Sequence, residues 1–109
     1  MTVRLIDTAS HFSLRLDAMR SRFVTRELAH EKRVRRHRKG IKWRSDPNCL
    51  IVVRTPSGRV RRYELYDSMT VLEKSTGQSW PFYAGLLLHR WLRQAQPAKP
   101  PIPFNPAVP

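Results

Sequence analysis

Thirteen consecutive residues, Lys32 to Arg44, carry eight Lys or Arg and no acid. Cations at that density cannot be buried, because each would lose its hydration with no carboxylate to replace it. The segment must therefore stand outside any core, and it separates the apolar residues before it from those after Asn48. Nothing else in the chain can neutralise it, since 21 Lys and Arg face 8 Asp and Glu for a net charge of +13. The anions come from outside, and nucleic acid is the expected source. A basic face kept for solubility alone would need a net charge of only about 2–8. Arginine suits such a role through forked contacts to phosphate and stacking on bases.

The apolar residues set the expected elements. Ser10 can cap a helix in which Phe12, Leu16, Met19 and Phe23 share one face. Beyond Phe23 the stripe thins to Val24, Leu28 and Val34 among cations, so the helix would dock its first half on protein and lay its second along phosphates. Residues Met1 to Arg26 also have the composition of a mitochondrial targeting segment; an ordinary amphipathic helix is the alternative. Leu50–Arg54 and Arg59–Tyr66 read as strands around a Thr55-Pro56-Ser57-Gly58 turn, with Met69–Glu73 able to add a third. Phe82–Ala95 reads as a helix, and six prolines between Pro97 and Pro109 read as an extended tail.

The expected fold is therefore α+β, in three parts. A basic helical extension covers 1–47. A small antiparallel sheet of two to three strands with a short C-terminal helix covers 48–95, and a proline-rich tail covers 96–109. A core of about fifty residues buries too little surface to be comfortable alone, so stability only within a larger assembly is expected.

The chemistry-bearing residues do not converge. Cys49 is the only cysteine, which leaves no disulfide framework and no cysteine-pair zinc site. Glu64, Asp67 and Glu73 lie near one another without a histidine, His11, His30, His37 and His89 are scattered, and the four glycines are isolated. No nucleophile, base and orienting group assemble, so neither an enzyme nor a cofactor, metal or small-molecule substrate is expected. No apolar run reaches the length of a membrane span. The expected phosphate contacts are Lys32, Arg33, Arg35, Arg36, Arg38, Lys39, Lys42 and Arg44, with Arg59, Arg61 and Arg62 as a secondary surface. Trp43 could stack on a base, plug a protein groove or anchor beneath the sheet, while Trp80, Phe82 and Tyr83 are expected in the local core.

The stretch Cys49 to Val60, with Gly58 at its turn, followed by Ser79-Trp80-Pro81-Phe82-Tyr83-Ala84-Gly85, resembles the ribosomal large-subunit protein L-thirty-one family. Ser79, Pro81, Phe82, Tyr83 and Gly85 match that family's signature in order, whereas Trp80, Ala84 and Leu86 depart from it. The family's zinc cysteines would fall at Thr55, Ser57, Thr76 and Ser79, so the resemblance implies a zinc-free form. It further implies a structural constituent of the large ribosomal subunit near the central protuberance, contacting rRNA and ribosomal proteins. The long extensions are similar to those of mitochondrial members, which implies the mitochondrial matrix rather than a bacterial cytoplasm. Two other roles fit the composition. One is a stand-alone RNA- or DNA-binding regulator; the other is an accessory subunit of a mitochondrial respiratory or ATP-synthase complex.

Overall fold

In the computed structural model, which describes residues 1–97, the chain opens with strands rather than a helix. Thr2–Asp7 forms β1, with Val3 and Leu5 buried and Arg4 exposed between them. Ser13–Arg15 forms β2 and returns antiparallel, placing Arg15 opposite Arg4 and Leu14 opposite Leu5. The spacing of Phe12 and Leu16 fits a helix, but Phe12, Leu14 and Leu16 also alternate with period two. The ladder with β1 selects the second pattern. Helix α1, Ala18–Val34, starts only after Asp17, whose carboxylate accepts the Arg20 N–H at 2.8 Å as an N-cap. Ser10 instead donates its hydroxyl to the Asp7 carboxylate at 2.6 Å within the β1–β2 turn. Met19, expected on the apolar face, is 75% exposed.

Five further strands follow: β3 (Arg38–Lys39), β4 (Cys49–Arg54), β5 (Val60–Tyr66), β6 (Thr70–Glu73) and β7 (Gln78–Pro81). Helix α2, Gly85–Ala95, ends the described chain. All pairs are antiparallel and the sheet order is β2-β1-β4-β5-β6-β7-β3. The expected sheet of two to three strands behind an N-terminal helix is thus corrected to seven strands and two helices. The residues before Asn48 supply β1, β2, β3 and α1 to the same body.

They also supply core. Val3, Leu5, Leu16, Val24 and Leu28 pack in one cluster with Ile51, Leu65, Val71, Trp80, Phe82, Leu88 and Leu92, so the core extends beyond the roughly fifty residues expected to form it. Buried Ser21 on α1 ties helix to sheet: its hydroxyl oxygen accepts the Val3 N–H at 3.2 Å and its hydroxyl donates to the Leu16 carbonyl at 3.3 Å. Phe23 of α1 meets Trp91 of α2 edge to face, ring centroids 5.9 Å apart. The inward residues of β1, β4 and β5 join α1 and α2 in one cluster, so both helices cover one face of the sheet. Among the described residues the opposite face carries no helix. Among the described residues no helix is long and apolar enough to cross a membrane. Residues 98–109 of the expected proline-rich tail lie outside the described residues.

Candidate nucleic-acid interface

Strand alternation divides the arginines between the two faces of the sheet. On β1, β4 and β5 the inward set is Val3, Leu5, Ile51, Val53, Arg61, Tyr63 and Leu65. The open set includes Arg4, Val52, Arg54, Arg62 and Glu64. The register places Arg15, Arg4, Val52 and Arg62 in one row across β2, β1, β4 and β5. At about 4.8 Å per strand the row runs roughly 14 Å. Arg54 continues it on β4, between Thr2 and Val60. Thr2, Arg4, Arg15, Val52 and Arg54 border a depression of about 380 Å³ on this face.

The charge here is uncompensated. Among the described residues no carboxylate lies within ion-pair distance of Arg4, Arg15, Arg54 or Arg62. Glu64, on the same face, is already held by Lys74 at 3.1 Å. Arg4 donates to the Ser13 hydroxyl at 2.8 Å, which aims its guanidinium across β2 without neutralising it. Like charges directly opposite on paired strands are destabilising, so the Arg4–Arg15 pair is a cost that a bound anion would remove.

The loop between β3 and β4 reaches the other end of this face. Trp43 stacks on Tyr66 with ring centroids 4.2 Å apart and planes 8° from parallel. Tyr66 belongs to the open set, its hydroxyl donating to Glu64 at 3.4 Å, yet it is only 6% exposed. Burial first, and the Glu64 charge second, push its phenol above the ordinary value. Lys42 and Arg44, which flank Trp43 in the loop, are exposed.

The basic run itself is dispersed. Lys32 donates to both carboxylate oxygens of Glu73, at 2.9 and 3.1 Å, and Thr76 adds a third bond at 2.8 Å. Burial alone would raise the Glu73 carboxyl, but those bonds and the charges of Lys32 and Arg61 outweigh it and hold the group below its ordinary value. Arg35 is bonded to Glu31 at 2.6 Å and lies 5.2 Å over the Tyr83 ring. Lys32 and Arg35 are therefore already engaged by groups of the fold. Arg33 and Arg36 are exposed near the end of α1, and Arg38 and Lys39 form the edge strand β3 against β7. His37 packs against Trp80 at 5.2 Å, and its Nε2 lies 2.5 Å from the Lys32 carbonyl.

The secondary surface separates in the same way. Arg59 sits in the β4–β5 turn, Arg61 points to the helix-covered side and Arg62 to the open side. Missed by the sequence reading were Arg4, Arg15 and Arg54. For Arg4 and Arg15 the signal is the single cation between inward residues in Val3-Arg4-Leu5 and Leu14-Arg15-Leu16.

The residues of the ribosomal resemblance have packing accounts. Gly58 adopts φ +87° in the β4–β5 turn, Ser79 and Pro81 lie in β7, and Phe82 is fully buried. A Cβ on Gly85 would come 2.5 Å from the Ser68 carbonyl oxygen, so glycine is required where α2 meets the sheet. Tyr83, expected in the core, is 53% exposed beneath Arg35. Cys49 is buried, and burial pushes its thiol up to about 12, out of reach of ordinary thiolate chemistry. Among the described residues no group of three His, Cys, Asp or Glu could hold a metal ion. Compared with known proteins, the chain matches no family model, no curated protein sequence and no solved structure.

Proposed function

We propose that this chain is a non-catalytic RNA-binding protein that lays single-stranded RNA across the open face of its sheet. The observation that carries this reading is the arginine row of Arg15, Arg4 and Arg62, with Arg54 beside it and, among the described residues, no carboxylate within ion-pair distance. A helix-free antiparallel face offers a broad surface for splayed nucleotides, with phosphates on the guanidinium groups and bases on aromatic planes. Trp43, stacked on Tyr66 between Lys42 and Arg44, supplies the aromatic edge. Fluorescence anisotropy on a labelled single-stranded RNA tests the reading directly. The variant R4Q/R15Q/R54Q/R62Q should retain its fold and lose at least about tenfold in affinity, about 1.4 kcal/mol. Undiminished binding by that variant would overturn the assignment.

Two narrower placements follow within this reading. The resemblance at Ser79 to Gly85 supports a structural constituent of the large ribosomal subunit, in mitochondria, bound to rRNA and ribosomal proteins. Co-sedimentation with large subunits that is lost on ribonuclease treatment would support it; migration as a small free species would sink it. The shared core of β1, α1 and the central strands favours a protein that folds and binds RNA by itself. A cooperative thermal transition of the purified chain in the absence of RNA is the measurement that separates them.

A further inference from the structure

A second basic site lies on the opposite side of the sheet. Between α1 and the turn end of β4 and β5 runs a groove of about 820 Å³. Arg22, Arg26 and Arg33 line its helix wall, and Arg61 of β5 faces them. On α1 the three arginines fall at i, i+4 and i+11, one stripe of about 16 Å at 1.5 Å per residue. None of the four makes an ion pair with a described residue, and Glu73 beside them is already held by Lys32 and Thr76. The floor differs from the open face, because it is apolar: buried Leu28, Val53 and Tyr63, with exposed Ala29 and Met1 also lining the groove.

We infer that this groove binds an acidic amphipathic segment of a partner protein. The inference is independent of the RNA reading, which uses the other face. The length of the arginine stripe suits about three turns of a helix, too long for a compact metabolite. An RNA backbone could satisfy the arginines but has no apolar side to set against Leu28, Ala29 and Val53. An amphipathic helix supplies both, with aliphatic side chains on the floor and Glu or Asp at the two walls. Met1, 54% exposed, is an unbranched and adaptable contact in the same groove.

The test uses the full chain and a synthetic labelled peptide of about four helical turns, Leu on one face and Glu on the other. Its control is a peptide of identical composition with the Leu positions scrambled. The amphipathic peptide should bind at least about tenfold tighter than the scrambled one. R26E/R33E and, separately, A29E should each abolish that preference. Both sets of positions are on the exposed side of α1, so circular dichroism should be unchanged. R4Q/R15Q should leave peptide binding intact. Equal binding of the two peptides would reduce the groove to a charge effect and overturn the inference, as would binding of neither. Displacement of the peptide by single-stranded RNA, with R26E/R33E weakening RNA equally, would assign the groove to nucleic acid instead.

Discussion

Replacing Arg15 by Gln should make this protein more stable and a weaker RNA binder at once. Arg15 and Arg4 are direct cross-strand partners on β2 and β1, and the substitution leaves the Arg4 hydrogen bond to Ser13 in place. A like-charged pair in that position costs about 0.2–1 kcal/mol. Both side chains are exposed, so the repulsion is screened, and the Debye length of roughly 30 Å at 0.01 M shrinks to about 8 Å at 0.15 M. A gain near 0.5 kcal/mol at low salt corresponds to a Tm higher by about 2–4 °C in a domain of this size. That gain should fade as salt is added. The same substitution removes one phosphate contact, so the log–log salt slope of single-stranded RNA binding should shallow by about 0.7. Thermal melts at two ionic strengths and anisotropy titrations over a salt series read the two effects. R15K, which keeps the charge, should show neither. A Tm that fails to rise at low salt would refute the repulsion, and an unchanged salt slope would refute a phosphate contact at Arg15.

Gly85→Ala should cost about 1–3 kcal/mol in urea unfolding, because the new Cβ meets the Ser68 carbonyl oxygen at 2.5 Å and Leu65 Cδ1 at 2.7 Å; a neutral result would mean that α2 shifts freely on the sheet. The Glu73 carboxyl is held below its ordinary value of 4.5, so its stabilisation is present above 4.5 and lost as pH falls through the lowered folded value. Unfolding free energy should drop across that range in the native chain and lose that step in E73Q; parallel pH profiles would refute the Lys32–Glu73 pair as its source. Cys49, buried with its thiol pushed up to about 12, should resist an aromatic disulfide reagent at neutral pH and react fully once unfolded in urea; rapid labelling of the folded chain would place the thiol at the surface.

The elements legible from sequence are those whose signal is local. The β4–β5 hairpin announces itself through Leu50 to Val53 and through Gly58, whose φ of +87° is what its turn requires. Helix α2 follows from Leu88 and Leu92 at i and i+4. Strand β2 was hidden because Phe12, Leu16, Met19 and Phe23 satisfy a helical period as well as Phe12, Leu14 and Leu16 satisfy a strand period. Only pairing with β1 decides between them. Two-residue β3 has no signal of its own, since Arg38 and Lys39 are a strand solely by virtue of β7. The candidate site failed to show for the same reason: Arg4, Arg15 and Arg62 are distant in sequence, and register alone puts them in one row.

A net charge of +13 on so short a chain invites the picture of one basic patch, and the period of two in a strand forbids it. Arg61 and Arg62 are neighbours in β5 yet serve opposite faces, one above an apolar groove and one on an open sheet. What distinguishes the two faces is therefore not charge but what lies between the charges. On the groove side the arginines frame Leu28, Val53 and Tyr63, and an anion must bring apolar surface to displace the water there. On the open side they flank half-buried Val52, with the stacked Trp43–Tyr66 pair farther along the same face, a surface that suits flat rings and extended backbones. Electrostatic attraction alone would serve both partners equally, so discrimination must come from these neighbours. It follows that charge changes on the two faces should act independently. R26E/R33E combined with R4Q/R15Q should give additive losses, each confined to its own ligand, and strong coupling between the two pairs would mean a single continuous anion surface instead.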